Sequence, residues 1–257
     1  MKTNILLNKL AKRFPKRIAK NYHDHVGLMA GKKPEEVHKI VLLLDLDWEI
    51  FDKVKEVKPD IVITHHPFIF GTRAKVLKFD ESKRELFNAI EELGIAVYSY
   101  HTNFDTGPGG INDGLADALG LINVYRPEKE PMMRIGYLKE EMEIHDFARY
   151  ANKCFGVNYS LLINYGKPFV KKVGVIGGGG SRDYPVTVEE GCDIYISGDV
   201  SHHVRREMID KKINYLDMPH EIEHVFMPQM KKILLGIDPT LEVISFDHEK
   251  IPEVIKD

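Results

Sequence analysis

Residues 61–70, Ile-Val-Ile-Thr-His-His-Pro-Phe-Ile-Phe, decide how this chain is read. The β-branched run Ile61–Thr64 has the composition of a buried strand, and His65 and His66 follow where it ends. In open α/β sheets ligands gather at the carboxyl ends of strands, because the loops there vary while the sheet stays rigid. Adjacent histidines leaving a strand point in different directions, so the pair suits two neighbouring ions better than one. Pro67 confines His66 to extended backbone and stiffens the exit.

Outward from this strand, short β-branched runs alternate with longer amphipathic stretches. Strands are expected at Ile40–Leu44, Ile95–Tyr100, Val173–Ile176, Ile194–Ser197 and Ile213–Leu216, and helices at Trp48–Val57, Lys83–Leu93, Asn112–Leu119 and His202–Lys211. This is the rhythm of βαβ units, so the fold class is α/β. The stretch Val124–Pro131, VYRPEKEP, interrupts it with two prolines among charges. A boundary there gives two α/β lobes, residues 1–125 and 126–257. The late run LEVISFDHEKIPEVI reads as one more strand and a tail, which could pack on the first lobe.

Composition narrows the chemistry. The 257 residues carry 36 basic and 39 acidic side chains, a net charge of −3, which argues against bulk-charge nucleic-acid binding. Twelve histidines against two cysteines exclude a Cys-built zinc module and leave imidazole and carboxylate as the metal ligands on offer. Cys154 and Cys192 fit reduced thiols. No apolar run approaches the roughly 20 residues of a membrane-spanning helix, and the basic N-terminus lacks a secretory h-region. The expectation is a cytoplasmic protein with no membrane partner.

Other strand ends repeat the pattern. His101 and Asp105 follow the strand ending at Tyr100; a carboxylate can bridge two ions where an imidazole cannot, so Asp105 is the natural partner of His65 and His66. His101 reads better as a group that orients Asp105 or passes a proton to substrate. An N-cap or Asx-turn role is the alternative for Asp105. After the strand near Leu216 comes His220-Glu-Ile-Glu-His224, and on a helix residues four apart share a face, so His220 and His224 can close on one ion, with Glu223 also in reach. The string matches the zinc-protease pattern H-E-x-x-H, but Pro219 sets it at a helix start directly after a strand. Gly177–Ser181, GGGGS, could offer backbone N–H donors to an anionic substrate through Gly177, Gly178, Gly179 and Ser181; it lacks the lysine and spacing of a P-loop. Ser197–His203 adds His203 as a second proton carrier.

Together Asp24–Leu28 with Gly31, THHPFIF, HTNFD with GGIND, VGVIGGGG, ISGDVSHH and LDMPHEIEH resemble, in order, the motifs of the Nif-three-like dinuclear metal proteins, also described as GTP cyclohydrolase 1 type 2 homologs. The resemblance spans nearly the whole chain, in the short form without an inserted domain. It implies two three-layer lobes with mixed sheets, a dinuclear site in the cleft between them, and a ring-shaped homohexamer. By motif position it implies the ligands His65, His66, Asp105 and His220. The fifth family ligand is a glutamate four residues after the last histidine; here that position is His224, and Glu223 is its neighbour. Equal spacing makes His224 the fifth ligand expected, and Glu223, which ligand chemistry favours, is the alternative.

The function expected is hydrolysis with two divalent ions (zinc, iron, manganese or nickel) of a phosphoester or nucleotide-like small anion. His101 or His203 would move the proton. The alternatives from other classes are a metal-handling or cofactor-insertion protein, and a regulatory ring that binds nucleic acid through Lys171, Lys172, Arg205, Arg206, Lys211 and Lys212.

Overall fold

The computed structural model describes residues 1–255. The chain gathers into two compact units, Met1–Gly110 with Phe226–Glu249, and Ile111–Val225 with residues 250–255. The division falls at Gly110, ahead of the boundary expected from the prolines. The reason is that VYRPEKEP runs between two strands that pair with each other, β5 (Ile122–Tyr125) and β6 (Arg134–Glu143).

In the first unit, β1 (Gly27–Ala30), β2 (Lys39–Leu43), β3 (Ile61–Thr64) and β4 (Ala96–Ser99) are joined by β11 (Glu242–Ser245) in the order β1-β4-β3-β2-β11. The late strand therefore belongs to this sheet, parallel to β2. β2, β3 and β4 are parallel neighbours, and β1 lies antiparallel on β4. All residues of β3 and β4 are buried, as a near-continuous apolar run in a parallel sheet requires. Helix Trp48–Val57 starts where the Asp47 carboxylate accepts from Ile50 N at 3.2 Å, and helix Glu81–Leu93 where Asp80 accepts from Lys83 N at 2.9 Å. The second ends on Gly94 in the left-handed conformation at φ 68°, which only glycine adopts without cost. Ile50, Phe51, Val54, Leu86 and Ile90 from these helices pack with Val41, Leu43, Val62 and Val97 of the sheet in one core.

The second unit adds β7 (Leu161–Ile163), β8 (Phe169–Val175), β9 (Ile194–Gly198) and β10 (Tyr215–Met218), giving the order β5-β6-β8-β9-β10-β7. β8, β9 and β10 are parallel and the remaining pairs antiparallel. The fold class is α/β with two mixed sheets. Among the described residues no helix is long and apolar enough to cross a membrane.

Candidate metal centre

Register builds the first half of the site. Leu43, Thr64 and Ser99 stand level across β2, β3 and β4, so the loops that follow leave the sheet side by side. Their backbones continue the ladder: His65 N donates to Leu43 O at 3.1 Å, His66 N to Leu44 O at 3.0 Å and Tyr100 N to Thr64 O at 2.9 Å. Two buried hydroxyls pin the turn, Thr64 Oγ1 donating to the His66 carbonyl at 2.7 Å and Ser99 Oγ reaching it at 3.2 Å. His65, His66 and His101 thereby come together, with one ring nitrogen from each within 4.8 Å of the others. The Phe226 ring packs against His65 at 5.3 Å between centroids.

Each imidazole is engaged through Nδ1 by an oxygen behind it. His65 Nδ1 lies 2.9 Å from the Tyr100 carbonyl, His66 Nδ1 2.5 Å from Asp45 Oδ2 and His101 Nδ1 2.8 Å from Asp24 Oδ2. A carbonyl or carboxylate only accepts, so these rings donate from Nδ1, which leaves Nε2 as the nitrogen that a metal would bind. Asp24 also accepts from Thr102 Oγ1 at 2.8 Å. Burial works to raise the Asp24 and Asp45 carboxyls, but the hydrogen bonds and charges of His101 and His66 hold both below the ordinary value. Asp105 sits inside helix Thr102–Thr106, buried, its Oδ1 3.5 Å from His65 Nε2. The cap of that helix is His101, so the N-cap alternative for Asp105 fails.

The second unit repeats the construction. Asp217 is level with Ser197, and Met218 with Gly198, which sets Asp199 and His220 on adjacent strand exits. His220 Nδ1 lies 2.6 Å from Asp199 Oδ2 and His220 Nε2 lies 3.1 Å from Glu223 Oε2. Asp199 holds a positive φ of 55°, a conformation that aspartate tolerates better than most residues. The Glu223 hydrogen bond, against the opposing effect of burial and with the charges of Glu223 and Asp199, pushes the His220 imidazolium up to about 9.

The winding differs here from the α-helix in which residues four apart share a face. His220–Val225 winds as a 3-10 helix, not an α-helix. At 3.0 residues per turn, positions i and i+3 eclipse and i+4 turns away by about 120°. Glu223, 3% exposed, therefore shares the face of His220, while His224 turns to Gly156, its Cε1 3.7 Å from where a Cβ there would lie.

The glycine loop also differs from the expected anion cradle. Gly177 N donates to Asn112 Oδ1 at 2.7 Å and Gly180 N to Gly178 O at 2.9 Å, so two of its donors are spent. Ser181 is buried. What the loop provides is room. A Cβ on Gly178 would collide with Glu223 Oε1 and lie 3.3 Å from His220 Cε1, at a φ of +63°. Gly178→Ala is therefore expected to cost about 2 kcal/mol through clash and strain. Denaturant unfolding should show that loss equally in chelator-treated protein, because the clash is with the side chains themselves.

Beyond the loop, burial and the nearby Glu130 charge push the Asp183 carboxyl up to about 6 from 3.8. The folded state keeps this proton to a higher pH than the unfolded state, so stability from the neutral form is lost as pH rises from about 4 through 6. Asp183→Asn should remove a penalty of about 1 kcal/mol after screening. Calorimetry should find the variant's Tm higher by about 2–4 °C at pH 7.5 and unchanged at pH 4.

His203 is exposed on helix His202–Asp210, 3.3 Å from Ser201 Oγ, and joins no ligand grouping among the described residues. The basic residues offered for nucleic acid are largely occupied. Lys172 Nζ lies 5.6 and 5.7 Å from the Tyr125 and Tyr137 ring centres, Lys171 Nζ donates to Lys139 O at 2.8 Å, and Lys211 Nζ to Tyr184 Oη at 2.8 Å. Asp45 and the role of Asp24 escaped the sequence reading, although Asp45 follows β2 as His66 follows β3 and the same strand-end rule would have found it.

The family model for Duf34/NIF3 (NGG1p interacting factor 3) matches residues 1–252. A GTP cyclohydrolase 1 type 2 homolog of Lactococcus lactis subsp. lactis (strain IL1403) is 28% identical over 256 residues, 98% of each chain. Among solved structures, a Bacillus cereus protein related to NIF3 superposes with a TM-score of 0.87 at 20% identity, covering 100% of this chain and 99% of that one. A Staphylococcus aureus hypothetical protein, SA1388, gives 0.88 at 20% identity with 99% of both chains covered. At that identity the two structures bear on the fold alone.

Proposed function

The chain belongs to the Duf34/NIF3 (NGG1p interacting factor 3) family, and from that premise we propose that it is a hydrolase working with two divalent metal ions. His65, His66 and Asp105 of the first unit and His220 and Glu223 of the second are the ligands in this reading. The observation that carries it is the orientation of the imidazoles: His65, His66 and His101 are all held from behind at Nδ1, and Nε2 is the ligand-competent nitrogen. The pairing of His220 with buried Glu223 supports Glu223, in place of His224, as the carboxylate the family places one residue later.

A mixed imidazole and carboxylate shell suits zinc, iron, manganese or nickel alike. When bound, such ions supply Lewis acidity toward water and toward a phosphoryl or ring-carbon electrophile. The chain's own residues do the rest. Asp45 and Asp199 fix the rings of His66 and His220, and Thr64 and Ser99 hold the His66 backbone. His101, oriented by Asp24, moves the proton to the leaving group; exposed His203 drops out of this role. The substrate is a small anion, a phosphoester or nucleotide-like molecule. No residue of the site reads guanine, so the relatives' GTP label is not carried over.

Protein purified without chelators or nickel affinity should contain about two divalent ions per chain and hydrolyse at least one compound of a phosphoester and nucleotide panel, reversibly lost on chelation. Two exchangeable ions without turnover would replace hydrolysis by metal handling. Less than one ion per chain would overturn the centre itself. Assembly as a homohexamer belongs to the same reading, checked by sedimentation. The free cysteines Cys154 and Cys192 suit a cytoplasmic setting.

A further inference from the structure

Directly after His66, the chain lines an open cavity of about 620 Å3 within the first unit. This is the size of pocket that takes a drug-sized or nucleotide-sized ligand. Its makeup is unusual for a surface hollow. Phe70 and Phe79 are each 74% exposed on its wall, whereas Phe68 is buried beneath them. The wall helix Arg73–Phe79 buries none of its residues fully, and only Val76 and Leu77 pack, half-buried, against the core. It is nevertheless anchored, Arg73 Nη2 donating to Met29 O at 2.7 Å and Arg84 Nη1 to Leu77 O at 3.2 Å. An anchored helix whose outer face holds a 74%-exposed aromatic ring over a hollow calls for an occupant of that hollow.

Charge says which kind. Two ammonium groups, Lys75 and Lys83, line the cavity against one carboxylate, Asp80. Asp80 is committed to capping helix Glu81–Leu93 through Lys83 N, so the cavity presents net positive charge. Lys83 Nζ stands 4.7 Å from the Phe68 ring centre, a cation already poised beside an aromatic floor. The cavity lies beside the imidazole cluster along the chain. Pro67 joins it to His66, and the Lys83 ammonium is among the charges acting on Asp45, the partner of His66.

We propose that this cavity binds a planar aromatic ligand carrying an anionic group, its ring against Phe70 and Phe79 and its anion at Lys75 and Lys83, and that it seats the non-reacting end of the substrate. That the ligand is the non-reacting end of a substrate rests on the hydrolytic reading above; its binding does not. Stacking on aromatic side chains is sequence-tolerant because every base offers a π-face, so the class is set by planarity and charge and not by one base.

The probes are AMP, ribose 5-phosphate and adenosine, titrated calorimetrically into the full chain with and without chelator. AMP is expected to saturate below about 1 mM in chelated protein, with ribose 5-phosphate and adenosine each about tenfold weaker. Phe79→Ser removes an exposed ring without touching the core. It should weaken AMP and adenosine about tenfold and leave ribose 5-phosphate unchanged. Lys75→Met with Lys83→Met should weaken AMP and ribose 5-phosphate about tenfold and leave adenosine unchanged. No saturable AMP binding in a protein that still holds two ions overturns this cavity and leaves the metal centre standing; AMP binding in a protein that holds none does the reverse. If Phe79→Ser changes the oligomeric state while AMP affinity stays the same, the ring belongs to a subunit contact and the proposal falls.

Discussion

Arg134→Met should destabilise the protein by about 3–5 kcal/mol, seen as a fall of roughly 10 °C or more in the Tm of its transition. Arg134 opens β6 and is 1% exposed, the bulkiest of the fully buried side chains. Its Nε donates to Asp113 Oδ1 on helix Ile111–Ala118, and its Nη1 donates to the carbonyls of Pro131 at 3.0 Å, Met132 at 2.8 Å and Met133 at 3.2 Å. One guanidinium thus ties a helix to the turn that feeds the sheet. Methionine fills much of the volume but donates nothing, so three turn carbonyls and the carboxylate lose a shared donor in a site poorly reached by water. Asp113→Asn keeps an acceptor for the guanidinium and also loosens Arg126, whose Nη2 lies 3.1 Å from Asp113 Oδ2; it should cost less than Arg134→Met. Combining the two should cost less than their sum, because the charge that each single variant strands is absent from the double. An additive result would show that the pair does not act as a unit.

The same residues show what could be read before the structure. Ile61–Thr64 and Trp48–Val57 were legible to the residue, because one is an unbroken β-branched run and the other a helix opened by an aspartate cap. β1, β5 and β7 were not, being short and each carrying exposed residues where β3 is buried throughout, and the charged second half of β6 reads as surface. Among the site residues, histidines after strands stood out because strand ends are where an α/β sheet presents ligands. The aspartates behind them did not. Nothing in a one-dimensional pattern says that Asp24 meets a ring 77 positions away. The glycine loop looked like an anion cradle because glycine is permissive in several ways at once, and only the position of Glu223 shows which of them is used.

Glu223→Gln should weaken divalent metal binding by at least the ~10–100-fold that removal of a residue merely supporting a ligand brings, while His224→Ala should change it by no more than a few-fold. Spacing alone favours the opposite ranking, since His224 occupies the place of the family's glutamate. The local winding reverses it. Had His220–Val225 been α-helical, residues 220 and 224 would lie about 40° apart around the axis and His224 could close on the ion with His220. In the 3-10 helix the i+3 residue takes that place, so a carboxylate displaced by one position returns to the ligand face through a change of pitch. Glutamine keeps the length and one carbonyl oxygen of Glu223 but removes the anionic charge that a divalent cation needs, so any loss reads the charge and not the fit. Competition of chelator against zinc or manganese in both variants, beside an unfolding curve for each, separates ligand loss from folding loss. Equal losses in the two would mean that both side chains reach the ion, and a larger loss in His224→Ala would return the fifth position to the imidazole that spacing favours.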